Sequence, residues 1–352
     1  MQHINNFHLE YISALREEGH EVTVMASGEG ADVNIPFVKK LFSRGNTEAR
    51  RMIRRHLEES AYDAILINTS LAAFHIRLSL RRKRRPRVAN FVHGYLFSKK
   101  TSTVKRLMLI LAEKLTAPVT DSVLVMNAED LRIAKRYKLA KSIYFTRGMG
   151  VKAREALSER DTMRAALGLS ESFVLGFVGE LSERKNQELL IRALPTLISS
   201  VPNAALLLVG EGAARESLES LAAELSVSDR VIFTGSRRDV PDLIDAMDVY
   251  VSAASIEGMP FNILEALGRG KTVVASDIKG HVDILDRPEV GYTYEYGNAE
   301  ALVSLLKRIH SGELIPDPDQ IEKTYRRYSS DAVFDETLLL VKKALGITSS
   351  DK

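Results

Sequence analysis

The sequence predicts an α/β protein made of two tandem Rossmann-like domains with a cleft between them. Its 352 residues are about enough for two domains of ordinary size. Short apolar runs of strand length alternate with segments whose apolar residues recur every three or four positions. Strands that are apolar on both faces and are joined by helices form parallel sheets with helices on both sides.

The second half shows this alternation most clearly, and a polar stretch at residues 150–161 separates it from the first half. We place this domain at residues 155–319. Helical spacing appears between its strands, as in QELLIRALPTLISS. Six runs predict its strands: SFVLGFVG (172–179), AALLLVG (204–210), RVIFTG (230–235), DVYVSA (248–253), KTVVASD (271–277) and GYTYEY (291–296).

The first half repeats the pattern over residues 1–154, and a helical segment at 320–352 is expected to pack back on it. The chain opens on a helix, without the strand and glycine turn that normally begin a Rossmann unit. We expect a natural start further upstream, because a sheet without its central strand leaves two neighbours unpaired. Five runs predict strands: HEVTVMAS (20–27), YDAILIN (62–68), RVANFVHG (87–94), DSVLVMN (121–127) and SIYFTRG (142–148).

Composition excludes several classes of protein. There is no cysteine, so the chain has no disulfide and no thiolate nucleophile or metal ligand. No run of about 18 apolar residues exists that could span a bilayer. The N-terminus lacks the basic-then-apolar order of a signal peptide. These features predict a cytoplasmic protein, with peripheral attachment to the inner face of the plasma membrane left open.

The formal net charge of +3 hides an asymmetry between the two halves. Residues 1–155 carry 28 Lys or Arg against 15 Asp or Glu, whereas residues 156–352 carry 21 against 31. Basic runs at 50–56, 81–87 and 99–106 supply much of the excess. This pattern is typical either of a solvated basic face or of an anionic partner such as a membrane surface. Aromatic residues do not alternate with the basic ones, so nucleic acid is not predicted.

The stretch IEGMPFNILEALGRGKTVVASD (256–277) predicts a ligand site, because it follows the strand DVYVSA. Ligands of open parallel sheets bind beyond the carboxyl ends of the strands. Gly258 allows close approach of a ligand, and Pro260 suits the first turn of a helix. Free amides at Phe261, Asn262 and Ile263 would then form an anion site, for which phosphate is the usual occupant.

Two glutamates flank this helix start. A carboxylate beside a phosphate has to face a neutral group, so Glu257 is expected to accept hydrogen bonds from sugar hydroxyls. Glu265, three residues after Asn262, can reach a second diol such as a ribose. A diol, a diphosphate and a sugar together make a nucleotide sugar. The alternative is that Glu257 only caps the helix and Glu265 is a surface residue.

The segment SIEGMPFNILEALGRGKTVVASD resembles the signature of retaining glycosyltransferases of family 4, in which seven residues separate two glutamates. Such enzymes have the two-domain GT-B fold. The resemblance includes FVGELSERKNQELLIRAL and LLLVGEGAARESLESLAAEL and covers residues 173–277. More loosely, HINNFHLEYISAL, NFVHGYLF and residues 121–150 resemble the acceptor domain of bacterial exopolysaccharide and capsule enzymes.

The resemblance implies roles for individual residues. Glu257 would bind the donor sugar and Glu265 the ribose, while Lys185 would neutralise the diphosphate. Many members have arginine where this chain has Glu180, and we expect Arg184 to replace it. The resemblance assigns catalysis to His93, Glu257 and Lys185. The other donor-binding positions that it implies are Arg237, which would flank the nucleobase through its backbone, and the helix start at Gly258, Met259, Pro260, Phe261 and Asn262.

The implied activity is retaining transfer from a nucleotide sugar, with UDP as the expected nucleotide, to a lipid-linked saccharide. The product would belong to capsule, exopolysaccharide or lipopolysaccharide. No cofactor and no metal are expected, since no Asp-x-Asp motif is present. We favour attack by the acceptor on the same face of the donor sugar as the leaving group, and a double displacement stays open. Two other functions remain: nucleotide-sugar binding without transfer, and a sugar-nucleotide 2-epimerase of the same fold.

Overall fold

The computed structural model describes residue 4 and residues 8–37, 44–80, 85–98, 101–152 and 155–347. The chain divides into two compact units. Unit 1 contains Met1–Met149 and Val333–Lys352, and unit 2 contains Gly150–Ala332. Both are α/β units with parallel strands, which confirms the predicted fold class. Residues 81–84 and 99–100 of the basic runs and residues 153–154 of the polar stretch lie outside the described residues.

The described residues of unit 1 form two separate parallel sheets, and no described strand precedes the first helix. One sheet pairs β1 with β2, and the other has the order β3-β4-β5-β6. The prediction of a full strand at residues 20–27 is wrong, because only two of its residues join a ladder and the Val24 N–H donates to the Asp32 carboxylate at 2.7 Å instead. The strands are β1 (Met25–Ala26), β2 (Val33–Asn34), β3 (Ala64–Ile67), β4 (Arg87–Val92), β5 (Ser122–Val125) and β6 (Ser142–Phe145).

The helices of unit 1 cover its sheets, and the end of the chain returns to it. Thr337 Oγ1 donates to the Gly148 carbonyl at 2.9 Å, and Arg87 Nε donates to the Ala344 carbonyl at 2.9 Å. The helices are α1 (Leu9–Glu17), α2 (Arg44–Glu59), α3 (Ser70–Ser79), α4 (Thr103–Thr116), α5 (Ala128–Tyr137) and, starting in unit 2, α14 (Ser330–Leu345).

Unit 2 contains one six-stranded parallel sheet in the order β12-β11-β10-β7-β8-β9. Numbered within the unit, this is the 3-2-1-4-5-6 order of doubly wound dinucleotide-binding folds. The order reverses between β7 and β10, which are hydrogen-bonded neighbours. The strands are β7 (Phe173–Val178), β8 (Ala204–Val209), β9 (Val231–Gly235), β10 (Val249–Ser252), β11 (Thr272–Ser276) and β12 (Tyr292–Tyr294).

Helices lie between these strands, and all six residues of β8 are buried, as expected for a sheet covered on both faces. The helix at residues 318–328 belongs to unit 2, although the sequence placed residues from 320 onward in a separate segment. It packs closely there, since a Cβ at Gly268 would lie 2.7 Å from Tyr325 Cε2. The helices are α6 (Arg160–Ala166), α7 (Gln187–Ile198), α8 (Arg215–Glu224), α9 (Val240–Ala246), α10 (Phe261–Gly268), α11 (His281–Ile284), α12 (Ala299–His310) and α13 (Pro318–Tyr328).

Candidate functional site

The loops after β7 and β10 leave the sheet of unit 2 side by side, at the point where the strand order reverses. Doubly wound folds bind their ligands at this point, outside the carboxyl ends of the strands. Glycines make the close packing of the loops possible. Gly210, after β8, has φ +138°, and a Cβ there would lie 2.0 Å from the Gly179 carbonyl oxygen. The backbone geometry of this edge therefore depends on residues without a side chain.

Direct hydrogen bonds join the β7 and β10 loops. Ser255 donates to the Arg184 carbonyl through its N–H at 2.9 Å and through its hydroxyl at 3.1 Å. Arg184 Nη1 donates to the Ile256 carbonyl at 3.2 Å. These bonds fix Arg184 and Lys185 next to the start of the sequence motif, although more than 70 residues separate the two loops along the chain.

Glu257 lies at the centre of a charged cluster. Its Oε1 accepts from Lys185 Nζ at 2.6 Å and from Arg184 Nη1 at 2.8 Å. The side chains of Glu257 and Lys185 are each 11 % exposed, whereas that of Arg184 is 41 % exposed. Among the described residues, no hydrogen bond reaches Glu257 Oε2. One carboxylate thus holds two cations through a single oxygen.

Burial raises the pKa of the Glu257 carboxyl, but the charges of Lys185 and Arg184 outweigh burial and hold that pKa below its usual range. Glu257 is therefore ionised at neutral pH. Lys185 Nζ also lies 5.9 Å from the centroid of the Phe177 ring, a cation–π contact that positions the ammonium group over the end of β7. Glu180, where an arginine was expected by resemblance, has a 57 % exposed side chain 4.0 Å from Arg184.

The start of α10 differs from the sequence expectation of three free amides. The Phe261 N–H donates to the Met259 carbonyl at 3.1 Å, and the Ile263 N–H donates to the Pro260 carbonyl at 3.0 Å. The prediction that both amides are free is therefore wrong, because the tight turn closes on itself before the helix begins. Pro260 occupies the N-cap position of α10, directly before the first helical residue.

Asn262 stabilises the sheet edge from the first turn of α10. Its Nδ2 donates to the Val178 carbonyl at 3.0 Å, and the Tyr250 hydroxyl donates to the same carbonyl at 3.1 Å. Both bonds hold the last residue of β7 immediately before Gly179. The side chain of Asn262 is thus engaged by the protein, and a ligand at this position would meet backbone rather than the amide group.

Glu265 lines a cavity of about 120 Å³ that lies entirely within unit 2. Val178, Pro241, Gly268, Arg269 and Tyr325 also line it. The Arg269 guanidinium is held by Asp245, with Nε donating to Oδ1 at 2.8 Å. Pockets for complete ligands usually measure about 300–1,000 Å³, so this cavity has room for a fragment such as a pentose ring.

Two other predicted site residues lie outside the charged cluster. Arg237, in the loop after β9, donates to Asp239 at 2.8 and 2.5 Å, so its guanidinium already has a partner. His93 lies in unit 1, directly after β4. Its ring stacks on Phe91 with centroids 5.0 Å apart and meets the His8 ring edge-on at 5.3 Å.

His281 is a buried polar residue that the sequence reasoning missed. It begins α11 after β11, and its Nδ1 lies 2.9 Å from the Ser276 carbonyl, which fixes Nδ1 as the protonated nitrogen. Burial lowers the pKa of His281 to about 4, although the charge of Glu257 raises it. Its loop abuts the motif, since a Cβ at Gly280 would lie 2.8 Å from the Gly258 carbonyl oxygen. The sequence does contain a signal for His281, because this residue follows the predicted strand at 271–277.

Neither a metal cluster nor a membrane span is found in the described part of the chain. No group of three or more His, Asp or Glu side chains there has an arrangement that could hold a metal ion. No helix among the same residues has the length and apolar character needed to cross a bilayer.

Two family models match the chain, one in each half. Residues 4–143 match Glycosyltransferase Family 4, and residues 159–328 match Glycosyl transferases group 1. The candidate glycosyltransferase EpsD of Bacillus subtilis (strain 168) is 27 % identical over 99 % of this chain and 96 % of its own length. The UDP-Gal:alpha-D-GlcNAc-diphosphoundecaprenol alpha-1,3-galactosyltransferase of Escherichia coli is 25 % identical over 74 % of this chain and 69 % of its own.

Solved structures give the same fold. HepE of Anabaena in complex with UDP-glucose matches with a TM-score of 0.70 and 20 % identity, over 94 % of this chain and 88 % of that one. Sucrose-phosphate synthase of Thermosynechococcus elongatus matches with a TM-score of 0.76 and 19 % identity, over 96 % and 92 %. Fold and family models thus define an enzyme of the glycosyltransferase class. The chain is a glycosyltransferase with a Glycosyltransferase Family 4 domain followed by a Glycosyl transferases group 1 domain, which confirms the resemblance seen in its sequence, and its fold is the GT-B fold.

Proposed function

We propose that the enzyme moves a sugar, with retention of anomeric configuration, from a nucleotide sugar to a lipid-linked saccharide during synthesis of a cell-surface polysaccharide. The observation that carries this proposal is the cluster of Lys185, Arg184 and Glu257 at the point where the strand order reverses. Two cations held in place by one nearly buried carboxylate suit a diphosphate, and a carboxylate oxygen that accepts no hydrogen bond from the described residues suits a sugar hydroxyl.

In this proposal the chemistry depends on the leaving group. The bond between the anomeric carbon and the diphosphate oxygen breaks, and the negative charge that develops on the nucleoside diphosphate is stabilised by Lys185 and Arg184. The acceptor hydroxyl oxygen attacks the anomeric carbon on the face that the diphosphate leaves, and a phosphate oxygen takes the hydroxyl proton. No metal and no cofactor is required, because the protein supplies the positive charge.

The same proposal assigns a role to each of the remaining site residues. Glu257 Oε2 accepts from a hydroxyl of the donor sugar, and Glu265, at the cavity of about 120 Å³, accepts from the ribose. Backbone from Gly258 to Asn262 contacts the sugar and the phosphates, and backbone near Arg237 contacts the base. His93, directly after β4 in unit 1, is the residue of that unit to which the resemblance assigns a part in catalysis.

Similar proteins support the choice of nucleotide and acceptor. HepE was solved with UDP-glucose, and the E. coli relative is named for a UDP-sugar donor and a diphosphoundecaprenol-linked acceptor. We propose UDP as the nucleotide and a polyprenyl-diphosphate-linked saccharide as the acceptor, with unit 1 at the cytoplasmic membrane surface. The basic excess of residues 1–155 favours an anionic surface.

A donor panel tests the proposal first. A ligand at 100 times its dissociation constant stabilises the native state by about 2.7 kcal/mol, which a thermal-shift measurement detects. We expect UDP-sugars to raise the melting temperature more than GDP-, ADP- or TDP-sugars. Stabilisation by none of them contradicts the proposed donor site.

Product analysis then tests the reaction. The enzyme is incubated with the best donor and a lipid-linked acceptor, and the anomeric configuration of the new linkage is read by NMR. A retained anomer supports the proposal, and an inverted one overturns the mechanism. Binding without turnover would leave a nucleotide-sugar-binding protein, and release of a free epimerised sugar would identify an epimerase.

A further inference from the structure

Helix α4 of unit 1 uses one face to pack on the protein. Ile110 is buried in the cluster that contains Val92, Tyr95 and Phe97. Glu113, the single acidic residue of the helix, accepts from Arg77 Nη2 at 2.9 Å, and the Arg77 side chain has no exposed surface. This face anchors α4 on α3 and on the sheet edge, so its orientation is fixed by packing and by a buried ion pair.

The opposite face of α4 is apolar and exposed. The five residues of this face, the α4 stripe, are Val104 (72 % exposed), Leu107 (57 %), Met108 (64 %), Leu111 (68 %) and Leu115 (65 %). Their spacing of three and four residues places them on one side of the helix over a length of about 17 Å. Soluble proteins rarely leave a continuous apolar row of this kind uncovered unless it binds something.

Basic residues border the α4 stripe on both sides. At about 100° per residue, Lys105 and Lys114 lie on opposite borders, each roughly 90° from the middle of the row. Both are exposed. Lysines in such positions extend their ammonium groups to the water side of an interface while their stems cover apolar surface. An apolar row with lysines on both borders is the pattern of a helix that lies in the plane of a membrane surface.

The charge of the surrounding sequence selects the partner. Apart from Arg77 and Glu113, which pair inside the protein, and Arg85, which donates to Asp121, residues 77–120 carry ten Lys or Arg and no acidic residue. A second copy of this chain would bring two such basic segments together, and they would repel each other. A bilayer that contains anionic lipid attracts the basic residues and covers the apolar row at the same time.

We infer that the α4 stripe inserts into the headgroup region of an anionic bilayer and docks unit 1 on the membrane. This inference rests on the proposed function in one respect: a lipid-linked acceptor gives an enzyme without a described membrane span a reason to bind there. It goes further by assigning the contact to one helix face, with the basic residues holding the surface and the leucines entering it.

A single tryptophan locates the inserted surface. The chain contains no tryptophan, so Leu111→Trp creates a unique fluorescent reporter in the α4 stripe. We expect its emission to shift to the blue with vesicles that contain 30 % phosphatidylglycerol, and brominated phosphatidylcholine in those vesicles to quench it. Leu339→Trp is the matched control, because Leu339 is 64 % exposed on α14 of the same unit. Equal shifts for both variants, or none for Leu111→Trp, overturn the inference.

The strength of vesicle binding tests the apolar and the basic residues separately. Leu107→Ser with Leu111→Ser is expected to reduce the vesicle partition coefficient on the order of tenfold at any salt concentration. Lys105→Glu with Lys114→Glu is expected to reduce it by a similar factor at low salt and less at high salt. Lys323→Glu, at an exposed position of unit 2, is the charge control and should have little effect. The serine variant remains folded, since both leucines are exposed.

The outcomes distinguish this inference from the proposed function. Donor binding and transfer to a detergent-solubilised acceptor should be unchanged in the serine variant, while transfer to acceptor in vesicles falls. Donor binding without vesicle binding would overturn the docking surface alone. Vesicle binding through α4 without any transfer would overturn the enzyme mechanism alone. Concentration-dependent dimers that the serine variant abolishes, with no vesicle binding, would identify a second copy as the occupant and overturn the inference.

Discussion

Charged residues are arranged in opposite ways at the carboxyl edge of the sheet in unit 2 and on the outer face of α4 in unit 1. At the sheet edge, Glu257 is nearly buried and holds Lys185 and Arg184 within hydrogen-bond distance. On α4 the acidic residue faces inward, and exposed lysines border uncovered apolar side chains. The first arrangement is preorganised for one small anion, because its charges cannot move far. The second suits an extended surface, since no ion pair holds Lys105 or Lys114 in the part of the chain that the structure describes.

Removal of Lys185 is the largest test of the preorganised cluster. We expect Lys185→Ala to lower kcat by about 100- to 1,000-fold, the usual loss when one fixed group that stabilises developing charge is removed. Sugar transfer under saturating donor is the measurement. Lys323→Ala, an exposed lysine on α13, should retain full activity. A loss below about threefold for Lys185→Ala would show that the cluster does not act on the leaving group.

His281 should make the stability of unit 2 depend on pH. Its pKa is about 4 in the folded chain, against 6.5 for an unperturbed histidine. Below pH 6.5 the unfolded chain therefore takes up a proton that the native chain does not, and the free energy of unfolding falls as the pH falls towards 4. The total loss is about 3 kcal/mol. Glu257, whose unfolded pKa is 4.5, adds to this loss from about one pH unit above that value downward.

Chemical denaturation between pH 7 and about 5.5 measures this slope with little contribution from Glu257. His281→Gln should flatten it. His310→Gln, an exposed histidine of the same unit, should leave it unchanged. A slope that persists in His281→Gln would assign the pH dependence to other groups.

Sequence patterns predicted the strands of unit 2 better than those of unit 1. All six strands predicted there exist, because strands that are buried on both faces appear as unbroken apolar runs. In unit 1, HEVTVMAS has the residue pattern of a strand, yet only Met25–Ala26 form a ladder. A strand also needs a neighbouring strand to pair with, and the β-propensity of its own residues does not provide one.

The site was predictable to the extent that it follows strand ends. Glu257 was predicted from its place after a strand and Lys185 from the family resemblance, and Glu257 Oε1 and Lys185 Nζ lie 2.6 Å apart. The hydrogen bonds of the Phe261 and Ile263 amides were not predictable, since the turn at Met259 and Pro260 closes by a backbone geometry that the residue types do not specify. His281 was missed because it lies just beyond residue 277, where the motif that carries the resemblance ends.

Neutralising Glu257 tests whether its carboxylate competes with a ligand for Lys185 and Arg184. In Glu257→Gln, Lys185 and Arg184 lose their ionic partner while the shape of the site is kept. We expect the affinity for UDP to rise on the order of tenfold, because the diphosphate no longer competes with a carboxylate, whereas sugar transfer falls. Calorimetric titration with UDP checks the first result. Glu188→Gln, whose exposed carboxylate pairs with Arg192 outside the cluster, is the control and should change neither.

Arg237 provides the smallest expected effect and the sharpest contrast with Lys185. Both are cations in loops that follow strands of the same sheet, but the Arg237 guanidinium is held by two hydrogen bonds to Asp239, and its predicted contact with the base runs through the backbone. Arg237→Ala should therefore change the dissociation constant for UDP by less than about threefold, since an exposed ion pair contributes little. A loss of tenfold or more would show that the side chain itself leaves Asp239 to reach the donor, and the loop after β9 would then join the charged cluster as a second cation source.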